Sequence, residues 1–310
     1  LQNSLVFKEA AMQDRIAEWK RIFETEENAI CKALSRMAWD LATYSCIVAM
    51  VQHAPSVGGQ KQLNELVMDM LASGFWAGMM QGVRRLVENE TIRGPRGVCS
   101  LRGLIEDIRA AQSKITRRVY IEDIAGLAYN YESTRTKYEI FARDQLHKGN
   151  HSYWVPSALQ YELSIERHRE FDWLSGISAG KSRPDDLIRI EIFDMLINKL
   201  SRLSSVIEHV NVEIAHAAIE ASRQGRLLEQ WGLHEAKQAV RDIAQVAQLV
   251  GNWFCYTGIG DVMPVAHFDK FAHIDAPLFT GERAQLQEVW TEFAREVQQW
   301  YRIDPTGYEI

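Results

Sequence analysis

One run of apolar residues constrains this chain more than any other feature. Phe193, Leu196, Leu200, Leu203, Ile207, Val210, Ile214 and Ala217 recur at steps of three and four, the period that lines up one face of an α-helix. The spacing predicts a single long helix from Pro184 to about Arg223. Pro184 suits a first helical position, and Asp185 and Asp186 place negative charge where the helix dipole favours it. A seam of this length needs other helices to cover it.

The rest of the chain repeats the same period. Met12, Ile16, Trp19 and Phe23 mark a helix over residues 8–24, and Ile30, Leu34, Met37, Leu41, Tyr44 and Val48 mark one over 26–52. The breakers from Ala54 to Gly59 turn the chain into a helix over 60–88, whose middle sets Gly74 and Gly78 among Phe75, Trp76, Met79 and Met80. That mixture suits a close helix crossing. Ser100 is read as the cap of a helix ending at Ala111. Further helices are expected over 119–146, 157–174, 234–254 and 282–301. Runs of β-branched residues with period-two alternation are absent. The expected fold is therefore all-α: a bundle of long antiparallel helices over residues 26–256, an additional N-terminal helix within 1–25, and a C-terminal loop and helix over 257–310 packed on the bundle.

Composition bounds the function. Four cysteines (Cys31, Cys46, Cys99, Cys255) without paired spacing suggest neither a disulfide framework nor a zinc knuckle, and a reducing cytoplasm is expected. The most apolar stretch, Met37 to Val51, carries Asp40 and is too short for a membrane span. A net charge of −6 argues against indiscriminate nucleic-acid binding. Yet the segment from Arg84 to Arg118 holds nine basic residues against Glu88, Glu90, Glu106 and Asp107. Its arginines, Arg84, Arg85, Arg102 and Arg109 among them, are the candidate contacts for phosphate.

Beside the apolar seam, His209, Glu213, His216 and Glu220 share one helical face. Glu213 and His216 together have the form of half a di-iron element, but such sites require a second copy and two further glutamates, which the sequence does not supply. His267 and His273 flank Asp269, and His147 and His151 lie in a loop; solvated side chains account for both pairs. No cofactor and no metal site is expected, and no phosphate-binding glycine loop occurs.

Three segments taken together are similar to a known family. Phe75-Trp76-Ala77-Gly78 leads to Arg84-Arg85-Leu86-Val87, and a short loop then leads to Val98-Cys99-Ser100-Leu101-Arg102-Gly103-Leu104-Ile105. Val210-Asn211-Val212-Glu213-Ile214-Ala215-His216 follows later. In order and spacing these resemble AbiU-type HEPN domains, helical bundles found in abortive-infection and toxin-antitoxin systems. The resemblance implies a homodimer, a possible cognate antitoxin or defence partner, RNA as ligand, and metal-independent ribonuclease chemistry in the active members. In those members an arginine precedes the histidine and stabilises charge on the phosphate while the histidine moves a proton. Here His216 and Asn211 match the pattern, but the arginine position is Val210. The resemblance therefore implies a ribonuclease using His216, with His209 or Asn211 assisting and a cation from Arg84 or Arg85, or alternatively a noncatalytic dimerisation, partner-binding or nucleotide-binding module.

Overall fold

The computed structural model describes residues 12–149, 156–178, 180–210, 231–263, 265–277 and 280–300. Over these the chain is all-α save for one two-stranded ribbon. Helix α1 covers residues 12–20 and continues as a π-helical turn, Arg21–Thr25. It is followed by α2 (Ile30–His53), α3 (Glu65–Val87), α4 (Leu101–Ala110), α5 (Tyr131–His147), α6 (Pro156–Ser175), α7 (Ile190–Ser201), α8 (Ser204–His209), α9 (Leu233–Val250) and α10 (Arg283–Trp300). The chain forms two compact units, Leu1–Pro264 and Val265–Ile310.

In the first unit, α2 packs on α3 and α9, α7 on α4 and α9, and α5 on α6. Helices α1 to α4 and α6 to α9 each contribute buried apolar residues to the core, and α5 contributes none among the described residues. Trp19 and Phe23, Leu34, Val83 and Leu86, Leu104 and Ile108, Phe193, and Ile243 and Val246 are all fully buried in one continuous core. Fixed polar contacts set how the helices meet. Asp107 on α4 accepts from Trp19 Nε1 at 2.7 Å and from Arg15 Nε and Nη2 at 2.9 Å each, which fixes α1 against α4. Ser100 Oγ accepts from Gly103 N at 3.0 Å as the cap of α4, and donates to Glu88 O at 2.6 Å beyond the end of α3. A Cβ at Gly103 would lie 2.1 Å from Glu90 O, so only glycine permits this approach of backbone to backbone.

Between Leu41 and Met79 no residue is buried. The outer halves of α2 and α3 form an arm in which Tyr44 stacks on Phe75 with ring centroids 3.9 Å apart and Trp76 meets both edge-on. Its tip is an antiparallel ribbon pairing Ser56–Val57 with Gln60–Lys61. The sequence reading foresaw only a turn there. Gly58 and Gly59 adopt positive φ, which supplies the tight reversal.

The long helix expected from Pro184 to Arg223 is corrected. Residues 184–189 are not helical, and α7 starts at Ile190. The cause is Arg117, whose side chain is fully buried and pairs with Asp172 at 2.7 Å and Asp186 at 3.1 Å. Asp186 O also accepts from Arg117 N, and Pro184 O from Arg118 N, so this segment runs as an extended partner of residues 116–118. Asp186 is engaged with an arginine rather than a helix terminus. A second break at Arg202–Leu203 separates α7 from α8 and shifts the seam: Val206 is buried and Ile207 is only partly so. Residues 211–223 of the predicted helix lie outside the described residues.

The helix expected over 119–146 is also divided. Val119–Ile124 is π-helical, Gly126 has φ 67°, and α5 begins at Tyr131 with Asn130 Oδ1 accepting from Ser133 N. In the second unit, α10 carries Leu286, Val289, Trp290 and Phe293 on one face, all more than half exposed. Among the described residues no helix is long and apolar enough to cross a membrane.

Candidate functional site

The basic residues of the Arg84–Arg118 segment do not form one patch. Arg117 is buried against two aspartates, Arg93 pairs with Asp107 at 3.1 Å, and Arg109 pairs with Asp194 on α7 at 2.8 Å. Arg102 lies on α4 with its Nε buried and without a hydrogen-bond partner. Much of the local positive charge therefore holds helices together. Arg84 and Arg85 are placed differently.

These two residues sit in the last turn of α3 and face a cleft of about 640 Å³ between α2 and α3. The α2 wall supplies Arg36, Met37 and Asp40, and the floor is Gly78 and Gly82. A Cβ at Gly82 would crowd Met37 Sδ at 3.1 Å, while Gly78 opens onto free space. The far wall includes Val210, the residue that stands where the resemblance would place an arginine. Val210 is fully buried, and α8 packs against α3.

The charges in this cleft are not equally engaged. Arg84 Nε donates to Glu88 Oε2 at 2.7 Å, a pair one helical turn apart. Arg85 is half-buried, its Nε has no acceptor, and its pKa lies below the ordinary arginine range because burial disfavours the cation, with Arg36 repelling it and Cys99 opposing that effect. Asp40 is pushed above the usual carboxylate range by burial, an effect that the charge of Arg36 partly offsets. A phosphate group entering the cleft would bring counter-charge to Arg36 and Arg85, although the Nε of Arg85 is itself closed off from solvent.

The other expected site residues are placed as follows. His209 ends α8 with Nδ1 buried and unpaired, and its ring does not line the arginine cleft. Arg102 and Arg109 lie on α4, away from that cleft. Asn211, Glu213, His216 and Glu220 lie outside the described residues. His267 and His273 are exposed, and among the described residues no group of three histidine, cysteine, aspartate or glutamate side chains comes together to hold a metal ion. Sequence reasoning missed Arg36 and Asp40: they lie far along the chain from Arg84 and share no motif with it, so only the packing of α2 on α3 unites them. All four cysteines are free.

Comparison of the chain with family models, with characterised proteins and with solved structures finds no match.

Proposed function

We propose that the α2–α3 cleft binds the phosphate backbone of RNA and that the protein is a HEPN-like component of a phage-defence or toxin-antitoxin type system, acting as a metal-independent ribonuclease through His216. One observation carries the reading. Two arginines from different helices, Arg36 and Arg85, face one cleft, and its wall includes Val210, six positions before His216 in the sequence. In this scheme the arginine missing at position 210 is replaced by a cation from α2 or α3. The imidazole of His216 moves the proton of the attacking 2′-hydroxyl or of the leaving group, and the guanidinium stabilises charge building on the phosphate. His209 and Asn211 are the assisting groups.

The test is incubation of the purified protein with total RNA, with and without EDTA, beside His216→Ala and Arg85→Gln. Cleavage that survives EDTA and disappears in both variants supports the proposal. RNA left intact in every lane refutes it.

A second reading has its own supporting observation: a noncatalytic module that binds a partner or another copy of itself. The exposed side chains of Leu286, Val289 and Trp290 on α10 are the kind of surface that a chain covers by association. A mass of one chain at micromolar concentration would count against the self-associating form of this reading and against the expected homodimer.

A further inference from the structure

Away from the arginine cleft, a cavity of about 320 Å³ opens between α6 and the turn after the π-helical residues Gly251–Cys255. Glu166 and Glu170 stand one turn apart on α6, and Asn252 of the π-helical segment and Tyr256 just after it line the same cavity. Arg167 lies at the bottom and is 4% exposed. Its Nη1 donates to Glu170 Oε2 at 2.5 Å and to Asn252 O at 2.8 Å, and its Nη2 donates to Trp253 O at 2.7 Å. The guanidinium carbon is 3.6 Å from the Tyr120 ring centroid and 4.9 Å from that of Tyr256. Only Nε lacks an acceptor, and that atom is closed off from solvent. Arg167 is thereby committed to closing the carbonyl end of the π-turn and has no exposed donor to offer an anion.

The acidic side of the cavity is less fully engaged. Glu170 accepts from Tyr120 Oη at 2.8 Å and from Arg167, both through Oε2. Glu166 is exposed and forms no ion pair among the described residues. Carboxylates at this spacing on a helix repel each other. Tyr256 holds a left-handed backbone, φ 55°, which a non-glycine residue adopts at a cost, and its ring is 36% exposed at the cavity. Burial raises its phenol above the ordinary tyrosine value; the Arg167 charge opposes this, and Glu166 and Glu170, which line the same cavity, add to it. Two carboxylates, a partly open aromatic face and a sequestered arginine make a setting for a cation.

We propose that this cavity binds a small organic cation, an alkylammonium or guanidinium group presented either by a free diamine or by a basic side chain of a peptide. The cation would pair with Glu166 and the unshared oxygen of Glu170 while its alkyl part lies on Leu163 and the Tyr256 ring. The inference stands apart from the RNA reading and does not depend on it.

The test is isothermal titration of the whole chain with cadaverine, with agmatine, and with an N-acetylated, C-amidated Gly-Lys-Gly peptide. Saturable binding of at least one probe is expected, weakened about tenfold by Glu166→Gln and severalfold by Tyr256→Leu, and weakened further by added salt. Binding of the free amines alone identifies a small-molecule site, and binding of the peptide alone identifies a basic partner segment. Glu166 is exposed, so Glu166→Gln leaves the fold intact and decides the matter should Tyr256→Leu unfold. The proposal is overturned if no probe binds at millimolar concentration, or if Glu166→Gln binds as tightly as the parent.

Discussion

Replacing a glycine in a helix by alanine ordinarily stabilises a protein, by about 1 kcal/mol when the site is open. Gly103→Ala is predicted to do the opposite. Its Cβ would stand 2.1 Å from Glu90 O and 3.1 Å from Ile92 Cγ2, whereas carbon to carbonyl-oxygen contacts lie at about 3.3–3.6 Å. One backbone must therefore retreat by more than about 1 Å, judged against that ordinary contact distance. The same retreat pulls on Ser100, whose hydroxyl both caps α4 and holds Glu88 O at 2.6 Å. Overpacking of this kind costs about 1–3 kcal/mol, and a weakened hydrogen bond about 1 kcal/mol more. Set against the gain in helix propensity, the net destabilisation is about 1–3 kcal/mol. A loss of this size lowers Tm by about 2–10 °C at the 2–4 °C per kcal/mol of a chain of about 150–250 residues, and by less in a longer one. Gly74→Ala is the control: a Cβ there meets nothing within 4 Å, so that variant should match or exceed the parent. Thermal unfolding followed by circular dichroism reads both. A Gly103→Ala protein as stable as the parent would refute the close approach of α4 to the Glu88–Ile92 loop.

Other consequences of the packing are equally open to measurement. Asp107→Asn should destabilise by about 2–4 kcal/mol in chemical denaturation, because Arg15 and Arg93 lose their shared carboxylate in a partly buried site. Burial alone would raise the pKa of Asp107, but hydrogen bonds from Arg15 and Trp19 and the charges of Arg15 and Arg93 outweigh it and hold the carboxyl below its ordinary value. Its contribution is thus fully present above the unfolded value of about 3.9 and lost as pH falls through the lower folded value, so Asp107→Asn and parent should converge in stability on strong acidification. Arg117→Met should cost about 3–5 kcal/mol by leaving Asp172 and Asp186 facing each other without a cation. Burial pushes the Cys31 thiol up to about 12 and the buried Cys255 thiol higher still. Alkylation at neutral pH should accordingly leave Cys255 unmodified until the protein unfolds, as peptide mass mapping would reveal.

The helical class and much of the core were legible because periodicity reports burial directly. Trp19, Leu34 and Met37 fall where their spacing put them, and Ser100 caps α4 as its hydroxyl and position suggest. Helix breaks were less legible. Pro184 and the aspartates after it have the form of a helix start, yet Asp186 is held by Arg117, 69 residues earlier in the chain. No local pattern encodes that pairing. The break at Arg202–Leu203 leaves the three-to-four spacing almost undisturbed, so the seam continues in sequence while the helix does not. The same limit governs the cleft. Arg84 and Arg85 stood out as members of a basic cluster, but most of that cluster serves internal ion pairs, and Arg36 joins the cleft only because α2 lies against α3.

The most direct test of the proposal that the α2–α3 cleft binds phosphate is a comparison of two double variants by fluorescence anisotropy with a labelled RNA oligonucleotide across a salt series. Arg36→Gln with Arg85→Gln removes two cleft arginines and leaves Arg84, which is paired with Glu88, and Arg102→Gln with Arg109→Gln removes the α4 pair. The cleft variant should bind at least tenfold more weakly with a salt dependence shallower by about two ion equivalents, while the α4 variant binds nearly as the parent does. Equal binding by the cleft variant and the parent, with the loss confined to the α4 variant, would contradict the account.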